Sequence, residues 1–267
     1  MGEDVYTHGH HDSVLRSHRW RTAENSAAYL LPHLAPGRRL LDVGCGPGTL
    51  TVDLASRVAP GAVVAVDIAD DVLPEARRHA AEQGADNVEL VAGDFRELGL
   101  AEGSFDVAHA HQVLQHLVDP VGALAAMARL VRPGGVVAAR DGDSSAFLWA
   151  PANPGLDRWQ QAYVEVTRRN RAEAAAGRYL PAWARAAGLD DVTYTTSTWT
   201  FATPDERAWW SDVWAERSVA SSFAEQALGY GIATQDELED LAAGWRLWGA
   251  TPDAVLTIVH GEIICRV

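Results

Sequence analysis

Lysine is absent from this chain: all 22 basic residues are arginine. A phosphate-binding loop of the Walker type needs a lysine after its glycines, so that class of nucleotide site is excluded. Cysteine is scarce. Cys45 and Cys265 are the whole complement; they fit no disulfide framework or zinc spacing and point to a reducing compartment. Positive charge is in deficit, with 22 basic against 36 acidic residues and a formal net charge of -14. Such a surface repels a phosphate backbone, and no arginine-rich stripe with interleaved aromatics offsets it, so no nucleic-acid partner is expected. No signal peptide and no run of 18 apolar residues occurs, giving the expectation of a cytoplasmic protein without a membrane span. Repeats and low-complexity tracts are also missing. What remains is 267 residues with 48% hydrophobic content, sufficient for one large domain with elaborations.

The most informative stretch is Leu41-Asp42-Val43-Gly44-Cys45-Gly46-Pro47-Gly48-Thr49. An apolar strand enters a glycine-rich turn and leaves it as a helix, Leu50 to Ala55. Glycines at 44, 46 and 48 remove the Cβ atoms that would hold a ligand off the backbone, and the helix N-terminus offers unpaired N–H groups. A dinucleotide fingerprint would require a third glycine at position 49, which is Thr49. Downstream, Ala62 to Val66 is a short apolar run of the kind found in buried parallel strands. It ends in Asp67, a carboxylate able to accept two ribose hydroxyls. Asn87 to Ala92 reads as a third strand and leads into Gly93-Asp94-Phe95, one acceptor beside one flat apolar face. Ser104 to His109 gives a fourth strand with His111-Gln112 at its end, and Leu130 to Val137 a turn and a fifth strand.

This ordered set, across residues 39–141, resembles the class I S-adenosylmethionine (SAM) dependent methyltransferases, within them the broad group that includes the ubiquinone and menaquinone biosynthesis enzymes. The resemblance implies an α/β fold: a Rossmann-like, doubly wound, seven-stranded, mostly parallel sheet whose last strand is antiparallel. It implies an amino-terminal helical lid (1–35), a SAM-binding core (36–145), and a remainder (146–267) carrying a helical cap insertion around 203–250. The cofactor is then SAM, with S-adenosylhomocysteine as product. Asp42, Gly44 and Gly46 would form the loop under the methionine end and ribose, Asp67 and Ile68 would follow on the ribose side, and Gly93, Asp94 and Phe95 would frame the adenine. His111 would stand nearest the methyl group, as a base or through its carbonyl on the methionine amino group, and Gln112 beside it would also contact the cofactor. On the lid, Tyr6, His11 and Arg19 are candidates to touch cofactor or substrate, with Arg19 suited to pair the methionine carboxylate.

Outside the core, a helix is expected from about Ser13 to Leu31, then helices over Leu156–Ala176 and Leu180–Leu189, and a strand over Asp191–Phe201. Two helical pieces follow, Pro204–Leu228 and Thr234–Trp248, and the last strand spans Ala254–Val267, with Gly261 as a bend or hairpin. Eight of the ten tryptophans lie after residue 151. Tryptophan at helical spacing fills cores, yet a small cap has little core to fill, so an aromatic-lined acceptor pocket stands beside core packing as the reading.

The expected chemistry is in-line methyl transfer to a small apolar or aromatic acceptor, secondary-metabolite or quinol-like. His11 and His111 are the candidate bases; His116 reads as a helix-packing residue, and Asp141 and Asp143 as groups that orient substrate or sit in the loop. Four histidines lie in the first 18 residues, but no acid or cysteine at diagnostic spacing completes a metal site. A non-methylating SAM enzyme such as a cyclase, or an NAD-dependent oxidoreductase, is the alternative. A monomer or homodimer is expected.

Overall fold

The computed structural model describes residues 4–267. All four residues of β1 (Leu40–Val43) are buried, as a strand covered by helices on both faces must be. It is flanked by β2 (Val63–Asp67) and β4 (Phe105–His111), with β3 (Val88–Ala92) beyond β2 and β5 (Val131–Gly142) beyond β4, all five parallel. The order 3-2-1-4-5 reverses direction between β1 and β4, and at such a switch point the helix N-termini and strand ends open a crevice. α3 (Thr49–Val58), α4 (Leu73–Glu82) and α5 (Pro120–Leu130) make the crossovers.

The sheet closes with antiparallel strands. β8 (Val255–Arg266) pairs β5 on one side and β7 (Asp191–Phe201) on the other. An eighth strand, β6 (Leu148–Ala150), adds to the start of β8 on the β5 side, one more than the seven expected. Three residues are too few to produce an alternation in sequence. Gly261 marks neither bend nor hairpin. It lies in the middle of β8 because α7 (Ala176–Ala186) crosses there at backbone distance: a Cβ on Gly261 would overlap the Gly177 carbonyl.

The amino-terminal segment is broken where one helix was expected. α1 (Asp12–Arg19) stops at Trp20, and α2 (Ala23–Ser26) starts afresh under a capping box between Thr22 and Asn25. The stretch Pro204–Leu228 likewise divides, into α8 (Pro204–Ala220) and α9 (Ser222–Gly229). The Ser221 side chain accepts the Phe223 N–H and opens the second helix. These two, α6 (Pro154–Arg169) and α10 (Gln235–Ala250) enclose a second core in which Trp159, Trp245 and Trp248 are fully buried. α1 packs on α8, where Arg16 pairs with Asp212 and Glu216. No helix among the described residues is long and apolar enough to cross a membrane.

Candidate functional site

One cavity of about 250 Å³ runs from the carboxyl ends of β1, β2 and β4 to the tryptophan-rich helices. Its first half is the glycine turn. Gly44 and Gly46 have φ of +72° and +54°, conformations that a side chain disfavours. Gly46 donates its N–H to Asp67 Oδ2 at 2.8 Å, and Ala69 donates to Oδ1 at 3.0 Å, so Asp67 is held at the cavity wall with lone pairs to spare. Burial raises the Asp67 carboxyl above the usual range, against the lowering effect of those two N–H groups. Ile68 lies beside it, 72% exposed although apolar. Gly93, Asp94 and the buried Phe95 complete this wall. Asp94 is gripped by Arg96 through Nε and Nη2, and this guanidinium holds the carboxyl below its ordinary value.

Asp42 also borders the cavity, but both its oxygens are engaged: Oδ1 with His109 Nδ1 at 2.9 Å and Oδ2 by the Thr51 hydroxyl at 2.6 Å. These bonds tie it to β4 and α3 beneath the turn.

The roof is built by the amino-terminal segment. Tyr6, His8, His10, His18 and Arg21 line the cavity. Tyr6, expected on sequence, is there. Two other expectations are corrected. Arg19 points away, pairing Glu75 (2.6 Å from Nε) and Asp12, with no access to the cavity. The arginine that enters is Arg21, two residues on, because the chain turns after Trp20; its Nη2 donates to Gln112 Oε1 at 2.6 Å. His11 is not in the cavity either. It caps α1, its Nδ1 accepting the Ser13 N–H, and lies 3.9 Å from Glu216.

At the end of β4, His111 is buried with neither ring nitrogen bonded among the described residues. Burial, then the nearby Arg21 and Arg140 charges, push it well below 6.5. Gln112, in a left-handed conformation at φ +55°, bridges Arg21 and His260. His116 is not a helix-packing residue: it lines the cavity, 4.8 Å from the Tyr6 ring, and burial lowers it to about 3. Asp141 and Asp143 do not reach the cavity. Asp141 is fully buried under the Gln115 N–H, and Asp143 pairs with Arg178.

The far half is aromatic. Trp159, Tyr163, Trp199, Trp210 and Trp214 line it, with Arg217 among them. The tryptophans divide: Trp245 and Trp248 are core, while Trp159 and Trp214 touch each other edge-on at 4.6 Å and border the cavity. Sequence spacing gives no signal for His8, His18, Arg21, Tyr163 and Arg217, since each needs long-range packing to reach the cavity. No metal-binding cluster occurs among the described residues.

The residues suit SAM. Gly46 leaves backbone space for its methionine end, while the space beside Gly44 is filled by Val113; Asp67 keeps acceptor capacity for two hydroxyls, and Ile68 and Phe95 offer apolar faces for a base. The model of a family described as a methyltransferase domain matches residues 34–188. The chain is similar to an uncharacterised methyltransferase of Schizosaccharomyces pombe, 28% identical over 98% of this chain and 96% of that protein. It is 34% identical to a ubiquinone biosynthesis O-methyltransferase of Pseudomonas aeruginosa, over 58% of this chain and 65% of that one. Among solved structures it resembles a phosphoethanolamine N-methyltransferase of Haemonchus contortus in complex with phosphomonomethylethanolamine and S-adenosylhomocysteine. That match has a TM-score of 0.56 at 18% identity, covering 90% of this chain and 51% of the other.

Proposed function

The chain belongs to the methyltransferase-domain family and is a SAM-dependent enzyme, and from that premise we propose that it methylates a small aromatic or apolar molecule. The observation that carries this reading is the continuity of the cavity: the glycine turn and the aromatic helices border one space. Bound there, SAM supplies a methyl group on a sulfonium, ready for in-line displacement. Gly46 would admit the methionine end, Asp67 would take the ribose hydroxyls, and Ile68 and Phe95 would flank the adenine. Arg21, rather than Arg19, meets the methionine carboxylate. Trp159, Tyr163 and Trp214 hold the acceptor by its rings and exclude water.

Positioning, rather than proton abstraction, is the main device in this proposal. His8, His111 and His116 are all lowered by burial and by neighbouring arginines, so they stand neutral at pH 7 and make weak bases. Thermal-shift measurements with S-adenosylhomocysteine, SAM and NAD test the premise: the first two are expected to raise the melting temperature and NAD to leave it unchanged. Incubation with methyl-labelled SAM and a panel of phenols, amines and carboxylic acids tests the reaction. Cofactor binding with no labelled product from any acceptor class would favour a non-methylating reaction instead.

A further inference from the structure

We infer that Arg217 is the counter-ion for an anionic oxygen on the methyl acceptor. The inference rests on the reading of the aromatic half as the acceptor site. Arg217 lies on α8, 4% exposed, at the wall of that half. Its Nη2 donates to the Ser13 carbonyl at 2.9 Å and to Ser17 Oγ at 2.8 Å, which fastens α1 to the cap. Its Nε has no hydrogen-bond partner among the described residues. Neither does any carboxylate there pair with it. The acids nearest in sequence, Asp212 and Glu216, are both taken by Arg16. A guanidinium stays charged at any pH a protein meets, and burying it without an anion is costly. Among the described residues the groups facing it offer no negative charge: the Trp214 ring 4.3 Å away, His8 against that same ring, and the Tyr6 and Tyr163 hydroxyls, both held protonated by burial.

Of the other arginines lining the cavity, Arg96 is paired with Asp94, whereas Arg21 also lacks a carboxylate partner among the described residues. The cofactor brings one carboxylate, which satisfies one of the two. Arg21 is bonded to Gln112 at the tip of β4, beside the glycine turn, whereas Arg217 stands among the rings. The unmatched positive charge therefore falls on the acceptor side. A carboxylate, or a hydroxyl acidic enough to ionise beside a guanidinium, fits there, with its ring against Trp214.

The test is calorimetric titration of protein saturated with S-adenosylhomocysteine by 1-naphthoate and by 1-naphthamide, equal in shape and different in charge. Wild type is expected to bind the carboxylate at least tenfold more tightly. In Arg217→Met the preference should collapse to within twofold, and in Arg217→Lys it should survive. No preference in wild type overturns the inference. So does an Arg217→Met variant that weakens both probes equally, the signature of a mere fastening of α1. If that variant does not fold, the wild-type ratio and Arg217→Lys decide. A 1-naphthol arm separates the two sources of the anion: a red-shifted spectrum on binding marks an ionised hydroxyl, and preference for naphthoate alone marks a carboxylate. Loss of the S-adenosylhomocysteine titration itself would sink the methyltransferase premise, while naphthoate preference in unsaturated protein would still stand or fall by itself.

Discussion

Asp141 offers a test of how the buried floor under the site is held together. It follows Arg140 on β5, is fully inaccessible, and accepts the Gln115 N–H on Oδ1 at 3.1 Å, while Oδ2 has no partner among the described residues. Burial pushes its carboxyl from 3.8 up to about 7, against smaller lowering effects from Gln115 and Arg140. Between those two values the folded state keeps a proton that the unfolded chain releases. Stability therefore falls as pH rises through that window, the reverse of a carboxylate held by an ion pair. At about 1.4 kcal/mol per unit, the full shift is worth ~4 kcal/mol, of which roughly 2–3 kcal/mol is lost between pH 5 and pH 8. An asparagine at this position keeps the shape and the acceptor for Gln115 and does not titrate. The advantage of Asp141→Asn over wild type should thus grow by about 2–3 kcal/mol between pH 5 and pH 8, measured by urea unfolding at four pH values. Effects common to both proteins cancel in the difference. A gap between them that stays constant within about 0.5 kcal/mol across this range would show that Arg140 keeps Asp141 ionised throughout, and the argument would fail.

Two more outcomes follow from the geometry. Arg19→Ala should leave S-adenosylhomocysteine affinity within about twofold, since Arg19 is spent on Glu75 and Asp12, while Arg21→Met should cost about 1.5–3 kcal/mol, the worth of a charge-assisted bond; calorimetry on both variants checks the pair, and equal effects would refute the assignment. Gly261→Ala should destabilise the fold by about 3 kcal/mol, because its Cβ meets the Gly177 backbone rather than a movable side chain, and an unchanged urea midpoint would contradict the close crossing of α7.

The sheet was largely legible because its strands are short apolar runs that end in the residues of the site: Val63 to Val66 before Asp67, Val88 to Ala92 before Gly93. Local pattern and function coincide there. The roof was less so. Arg19 and Arg21 are chemically identical in sequence, and only the break between α1 and α2 decides which one turns inward. His11 looked like a base because nothing in a linear reading shows that its ring caps its own helix. Asp42 has the residue type expected beside a cofactor loop, but that Thr51 and His109 both bond it is a fact of tertiary packing. Arg217 carried no signal at all. It is one of ten arginines after residue 150, and its distinction is that no carboxylate among the described residues pairs with it, which no spacing rule reports.

The fastening of α1 to α8 joins residues some 200 positions apart: Arg217 to Ser13 and Ser17, Arg16 to Asp212. The glycine turn needs only the segment between β1 and β5, whereas the aromatic half needs both extremities at once. Closing so long a loop is entropically expensive, and non-local contacts form late. During synthesis the nucleotide cradle is therefore assembled while the chamber beside it still has neither roof nor back wall. Refolding followed at two wavelengths would show this order, the far-ultraviolet signal of the sheet rising before the near-ultraviolet signal of the clustered indoles. The protein acquires its grip on the methyl donor before it has any place for what is to be methylated.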